Sequence, residues 1–275
     1  MIAVNDMIIE QGHFPDGTLL MKFNPELAWR KPCRIEWRYE SDSELFTLIC
    51  LKRHLDQANI NPILCLFYVP HARQDRVKNP EDVFTLKYFC EVINSLNFPK
   101  VEILDVHSNI TPALLNNCYP ITVDSLFVGD VIDTSGANFL FYPDEGAMKR
   151  YSASCKCPYA FGVKRRNWET GKIESLDIIG DQEIEGKRVL IIDDICSRGG
   201  TFVAAAKKLR EMGAASVSLW VTHLEPTVFE GELLTSDLID TVYSTNSLIS
   251  FEAAAANKKI KLVNVWDAFD KGVRK

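Results

Sequence analysis

The sequence predicts an α/β protein of two tandem domains, each built on a mostly parallel sheet. Three observations carry this. Short apolar runs alternate with segments whose apolar residues recur at helical spacing, the pattern of strands joined by helices that cover both sheet faces. Each half contains one such run ending in acid, at Asp105 in the first and at Asp193 and Asp194 in the second. A length of 275 residues allows one large domain or two ordinary ones.

Residues 62–70 (PILCLFYVP) form an apolar run between prolines and predict a buried strand. In 84–96, Leu86, Phe89, Cys90 and Ile93 share one helical face. Residues 101–106 (VEILDV) and 138–142 (NFLFY) predict further strands. The clearest strand is 187–193 (KRVLIID), followed by a glycine loop and a helix over 201–212 that Gly213 stops. Residues 216–222 (SVSLWVT) predict a strand, and the alanines at 253–256 a helix. The polar stretch 129–136 (GDVIDTSG) reads as a turn-rich boundary, giving domains over 1–134 and 135–275.

Thirty-one basic against 37 acidic residues leave a net charge of −6. That excludes the basic surface of a general nucleic-acid binder. The longest apolar stretch, 63–69, is far short of the ~20 residues that cross a bilayer, so no membrane partner is expected. Residues 1–10 lack the basic start of a signal peptide. The eight cysteines show no paired zinc-finger spacing and read as reduced thiols in a cytoplasmic protein.

The strongest chemical signal is VLIIDDICSRGGT, residues 189–201. A buried strand delivers two carboxylates at its C-terminal end, where open α/β sheets bind ligands. Gly199 and Gly200 let backbone amides approach a phosphate at a helix N-terminus. Asp193 and Asp194 repel phosphate and suit sugar hydroxyls or a metal ion. A second segment, YVPHARQDR (68–76), places the forked donors of Arg73 and Arg76 after a strand, where they suit phosphate oxygens. A third, LDVHSN (104–109), sets a histidine at a strand end; a fourth, FYPDEGAMKR (141–150), puts Asp144 before a glycine. The fifth, VKRRN (163–167), is three consecutive basic residues in an acidic chain, either a solvated run or a clamp for phosphoryl charge. No Walker loop, dinucleotide fingerprint, HExxH or nucleophile elbow is present.

In this order, HARQDR, DVHS, YPDEG, VKRR and IIDDICSRGGT resemble the ribose-phosphate diphosphokinases, or PRPP synthetases, from about Phe14 to near the C-terminus. The resemblance implies two tandem phosphoribosyltransferase-like (type I) domains. It implies transfer of the β,γ-diphosphate of Mg-ATP to the 1-hydroxyl of ribose 5-phosphate, giving PRPP and AMP, with Mg2+ as cofactor. By resemblance, Arg73 and Gln74 hold ATP; His107 contacts metal and ATP; Asp144 binds metal; Lys164 and Arg166 stabilise the transferring diphosphate. Asp193 and Asp194 face the ribose hydroxyls, Ser197, Arg198, Gly199, Gly200 and Thr201 cradle the 5-phosphate, and Phe14 and Asp16 match an adenine pocket that a neighbouring subunit usually completes. A homo-oligomer, dimer or hexamer, is implied.

The chain departs from the family pattern in three places. Only about a dozen residues precede Phe14. Thr18 stands where the family usually has Glu. Ser197 and Arg198 stand in a loop that usually reads Asp-Thr-(Gly/Ala)-Gly-Thr, a local change of about two charge units toward positive. That change, with the short N-terminus, motivates a second acceptor, ADP-ribose, giving ADP-ribose 1-diphosphate for NAD rebuilding. A plain phosphoribosyltransferase would share the IIDD loop but has no need of ARQDR. An inactive homologue predicts loss of Lys164, Arg166, His107 or Asp144, and all four are present.

Overall fold

The computed structural model describes residues 1–29, 32–123, 127–166, 173–181 and 183–272, with the side chains of 154, 164–166, 173–176 and 270–272 excepted. The chain divides into two compact units, Met1–Ile121 with Phe269–Lys275, and Thr122–Ala268.

The first unit contains β1 (Ile2–Val4), β2 (Met7–Ile8), β3 (Gln11–His13), β4 (Leu19–Met21), β5 (Arg34–Trp37), α1 (Ser43–Gln57), β6 (Ile63–Leu66), α2 (Thr85–Ser95), β7 (Val101–Leu104), α3 (Ile110–Leu114) and β8 (Cys118–Ile121). Six strands form one sheet in the order β2-β1-β5-β6-β7-β8. Strands β5 to β8 run parallel and β1 pairs antiparallel with both its neighbours. One sheet face carries Ile35, Trp37, Leu64, Leu66, Val101 and Ile103, which share a core with Leu48, Leu51 and Leu55 of α1 and Leu86, Phe89, Cys90 and Ile93 of α2. Each such side chain, fully buried, contributes about 1.5–3 kcal/mol. The helical spacing read over 84–96 is α2 to within a residue at each end.

The second unit contains α4 (Gly129–Ser135), β9 (Phe139–Tyr142), α5 (Glu145–Tyr151), β10 (Tyr159–Arg166), β11 (Ile173–Gly180), β12 (Arg188–Cys196), α6 (Gly200–Glu211), β13 (Ser216–Leu224), β14 (Thr241–Thr245), α7 (Phe251–Ala254) and β15 (Ile260–Val263); α8 (Trp266–Gly272) ends the described chain. The seven-stranded sheet has the order β11-β10-β9-β12-β13-β14-β15. All its pairings are parallel except the β10–β11 hairpin. Central β12 buries Val189, Leu190, Ile191 and Ile192 in succession, as a strand covered on both faces must. It runs on to Cys196, three residues beyond the apolar run, so both acids lie within the strand.

Residues 129–135, read from sequence as a turn-rich boundary, form helix α4 inside the second unit. Its polarity is that of a surface helix: Val131 is buried, while the Thr134 and Ser135 hydroxyls bond back to the carbonyls of Asp130 and Val131 at 2.7 and 2.6 Å. Helix α7 covers only the start of the alanine run, capped where the Ser250 hydroxyl accepts the Ala253 amide at 3.1 Å.

Candidate active site

In the first unit, adjacent parallel strands β6 and β7 carry two motifs to one edge of the sheet. The chain after β6 turns at His71, whose φ is +63° and whose Nε2 lies 3.1 Å from Asp42 Oδ1. Arg73 and Gln74 follow, both exposed. The Gln74 side-chain oxygen accepts the Thr85 hydroxyl at 2.8 Å, which ties the loop to the first turn of α2. Asp75 is 6% exposed and takes both arms of Arg76, Nε at 2.7 Å and Nη2 at 3.1 Å. Those bonds hold its carboxyl below the usual range, aided by a hydrogen bond from Ser108 and the nearby charge of His107. Asp75 thus joins ARQDR to DVHS, and Arg76 grips a protein carboxylate. Sequence reading named neither role; the signal was an acid flanked by bases directly after a buried strand.

Phe14 and Asp16 lie in the loop of the β3–β4 hairpin. Asp16 Oδ1 accepts the Thr18 amide at 3.0 Å and its hydroxyl at 2.7 Å, which keep the carboxyl below its ordinary range. Thr18, the departure from the family's Glu, is therefore the partner that orients Asp16. Phe14 is half exposed.

In the second unit, β9 and β12 are parallel neighbours, so Asp144 and Asp193 emerge at the same sheet edge. Asp144 caps α5, its Oδ1 accepting the Ala147 amide at 3.0 Å. Asp194 is buried, with Arg150 Nη1 3.2 Å from its Oδ1. Asp193 accepts the Asp194 amide at 2.9 Å. Burial holds the Asp193 carboxyl well above the usual range, and the charges of Asp194 and Asp144 push the same way. The hydrogen bond between the two carboxyls pushes the same way.

This fixes the sign of a pH effect. The folded protein keeps the Asp193 proton at pH values where the unfolded chain has lost it. Stability therefore falls as pH rises from the ordinary carboxylate range to the raised native value. Asp193→Asn removes this penalty. In metal-free buffer, its melting temperature relative to wild type should be higher at about pH 8 than at about pH 4; equal differences at both would mean that Asp193 titrates normally.

The loop after β12 is shaped for close backbone approach. Gly199 has φ +83°, and a Cβ there would lie 2.6 Å from Leu233 Cβ. Gly200 begins α6, and the Phe202 and Val203 amides return to the Gly199 carbonyl. A second segment walls this loop, a 3-10 turn over Pro226–Glu230 and the residues after it. The Ser197 hydroxyl lies 2.9 Å from that of Thr227, Arg198 Nη2 is 2.9 Å from Glu230 Oε2, and Gly231 packs on the Arg198 carbonyl. Sequence reading did not identify this wall.

Lys164 and Arg166 lie two residues apart on β10, which pairs with β9 and β11; their side chains lie outside the described residues. Among the described residues no group of three or more His, Cys, Asp and Glu is arranged to hold a metal. His107 stands in the first unit and Asp144 in the second. Asp144, at the sheet edge beside α5, offers a hard oxygen donor. That chemistry fits magnesium, which commonly takes one or two carboxylates with phosphate and water.

Residues 147–236 match the family model of the phosphoribosyl transferase domain. That span holds most of α5, β12 with its acid pair, the glycine loop and α6, and it defines a phosphoribosyltransferase-type α/β protein. A ribose-phosphate pyrophosphokinase from Hyphomonas neptunium is 28% identical over 249 residues, covering 86% of this chain and 78% of the relative. One from Marinomonas sp. is 26% identical over 277 residues, covering 96% and 86%. One from Mycoplasma pneumoniae is 31% identical over 198 residues, covering 66% and 57%. The fold matches the crystal structure of phosphoribosylpyrophosphate synthetase from Mycobacterium smegmatis with a TM-score of 0.75, at 17% identity, over 97% of this chain and 89% of that one. The chain is thus homologous to ribose-phosphate pyrophosphokinases over most of its length, and that homology marks it as an enzyme of the transferase class.

Proposed function

We propose that this enzyme transfers the β,γ-diphosphate of Mg-ATP to the 1-hydroxyl of ribose 5-phosphate, giving PRPP and AMP. The observation that carries the reading is β12 with its loop and α6: acids at a strand end, then glycine amides at a helix N-terminus. The amides of 199–201 donate hydrogen bonds to the 5-phosphate, aided by the helix dipole. Asp193 accepts hydrogen bonds from ribose hydroxyls and orients the ring. Arg73 and Gln74 hold ATP from the first unit, with His107 at the neighbouring strand end; Phe14 and Asp16 supply an adenine-side surface.

The reaction is an in-line attack of the acceptor oxygen on the β-phosphorus, with AMP leaving. Its demand is positioning and charge neutralisation. Lys164 and Arg166 meet the charge on the transferring group. Asp144, with His107 near ATP, would hold magnesium, which would supply neutralisation of phosphate charge. Transfer to the acceptor is tested by AMP release that requires ribose 5-phosphate.

The second acceptor, ADP-ribose, rests on Arg198. Two features favour ribose 5-phosphate over it. Glu230 compensates the Arg198 charge, and Gly231 and Leu233 pack behind the loop. Arg198→Ala should raise the acceptor KM several-fold more than the ATP KM, with ribose 5-phosphate and ADP-ribose compared side by side. Equal effects on acceptor and ATP would place Arg198 outside the acceptor site. The reading includes a cytoplasmic homo-oligomer, dimer or hexamer, which light scattering on the purified chain tests. Among the described residues no helix is long and apolar enough to cross a membrane.

A further inference from the structure

Helix α5 contributes more than the Asp144 cap. Arg150, in its last turn, places Nη1 3.2 Å from Asp194 Oδ1, and its guanidinium stands 5.5 Å from the centre of the Tyr151 ring. Tyr151 is itself buried, so the guanidinium lies beside a fixed ring. Asp194 is 3% exposed, and a buried carboxylate needs a partner to remain charged. One short helix therefore holds both ends of the acid cluster, Asp144 at its start and Asp194 through Arg150 at its finish.

We propose that Arg150 is a positioning residue for the acceptor: it neutralises and fixes Asp194, so that Asp193 alone of the acid pair meets the ribose. This rests on the ribose 5-phosphate reading above. The acceptor carries a dianionic phosphate and approaches two adjacent carboxyls. With Arg150 engaged, the pair presents one negative charge at most. Without it, Asp194 adds a second beside the anion, and like charges at that range in a partly buried site repel strongly. Arg150 pairs with Asp194 of the proposed acceptor site, so its effect divides unevenly between the two substrates.

The test uses the full chain with magnesium and a non-transferring ATP analogue, α,β-methylene-ATP, and measures ribose 5-phosphate binding by calorimetry. Arg150→Met should weaken ribose 5-phosphate by about tenfold or more, the usual scale for breaking a buried charge pair. Affinity for the analogue should change by less than about threefold. Arg150→Lys, which restores the charge, should recover most of the loss. Adding Asp194→Asn to Arg150→Met should also recover part of it, since no charge then remains to neutralise. Should Arg150→Met fold poorly, Arg150→Lys and the double variant still decide the matter. Unchanged acceptor binding in Arg150→Met, equal loss of both ligands, or no recovery in either rescue would overturn the proposal. A wild type that binds ribose 5-phosphate yet transfers no diphosphate would instead overturn the proposed function and leave Arg150's role standing. A wild type that binds none would overturn both.

Discussion

Gly231→Ala should disable acceptor binding although Gly231 touches no substrate. A Cβ at this position would stand 2.0 Å from the Arg198 carbonyl oxygen, 2.7 Å from the carbonyl carbon and 2.9 Å from the Arg198 Cα. Its φ of −98° is open to any residue, so the obstacle is contact alone. All three clashing atoms are backbone, and no rotamer change relieves them. The loop must move, and the Gly199 and Gly200 amides proposed to hold the 5-phosphate move with it. Overpacking of this kind costs about 1–3 kcal/mol in stability. Displacement of the cradle by even about 1 Å is expected to cost roughly a hundredfold in kcat/KM for the acceptor. Glu230→Gln is the control. It removes only the exposed ion pair to Arg198, worth about 0–1 kcal/mol, and leaves the backbone contact in place. Acceptor kinetics and thermal melting on both variants check this; a Gly231→Ala enzyme with wild-type kcat/KM for the acceptor would separate the wall from the cradle.

Lys164→Ala should lower turnover by about 10²–10³-fold, the scale on which single transition-state charge stabilisers act. Stability should stay near wild type, because the fold of the second unit rests on the apolar residues of β9, β12 and β13. The loss should appear in kcat and in kcat/KM alike, since the charge it meets develops during transfer. Arg166→Ala should behave similarly, and the double variant should cost less than the product of the two, as for residues that act on one group. Near-normal turnover in Lys164→Ala would reduce VKRR to a solvated basic run.

The two variants come from opposite ends of what the sequence discloses. VKRR was legible because three adjacent cations are anomalous in an acidic chain. The acid–glycine loop was legible because β12 is buried on both faces and so reads as an unbroken apolar run. Helix α2 keeps its apolar residues on one face and was equally plain. Helix α1 was not. Its inward side holds Glu44, Thr47 and Lys52 beside the leucines, and these erase the apolar period. Each is satisfied by contacts that sequence does not display: Glu44 accepts the Trp37 indole N–H at 2.9 Å, the Thr47 hydroxyl donates to Gln11 at 3.2 Å, and Lys52 lies over the Phe98 ring. Asp75, Arg150 and Gly231 were passed over for a related reason. Each acts on a residue distant in sequence or through a backbone approach, and only the fold brings those partners together. Arg198 was visible, but its compensation by Glu230, thirty-two positions on, was not.

The central claim is diphosphate transfer to ribose 5-phosphate, and AMP release from Mg-ATP tests it most directly. The purified chain would be given ATP and magnesium alone, with ribose 5-phosphate, and with ADP-ribose, and the products identified by mass. The account predicts AMP and PRPP in equal amounts with ribose 5-phosphate, little AMP without an acceptor, and slower turnover with ADP-ribose. Faster transfer to ADP-ribose would recast Ser197 and Arg198 as a change of specificity. AMP release that ignores both acceptors, or none at all, would contradict the account.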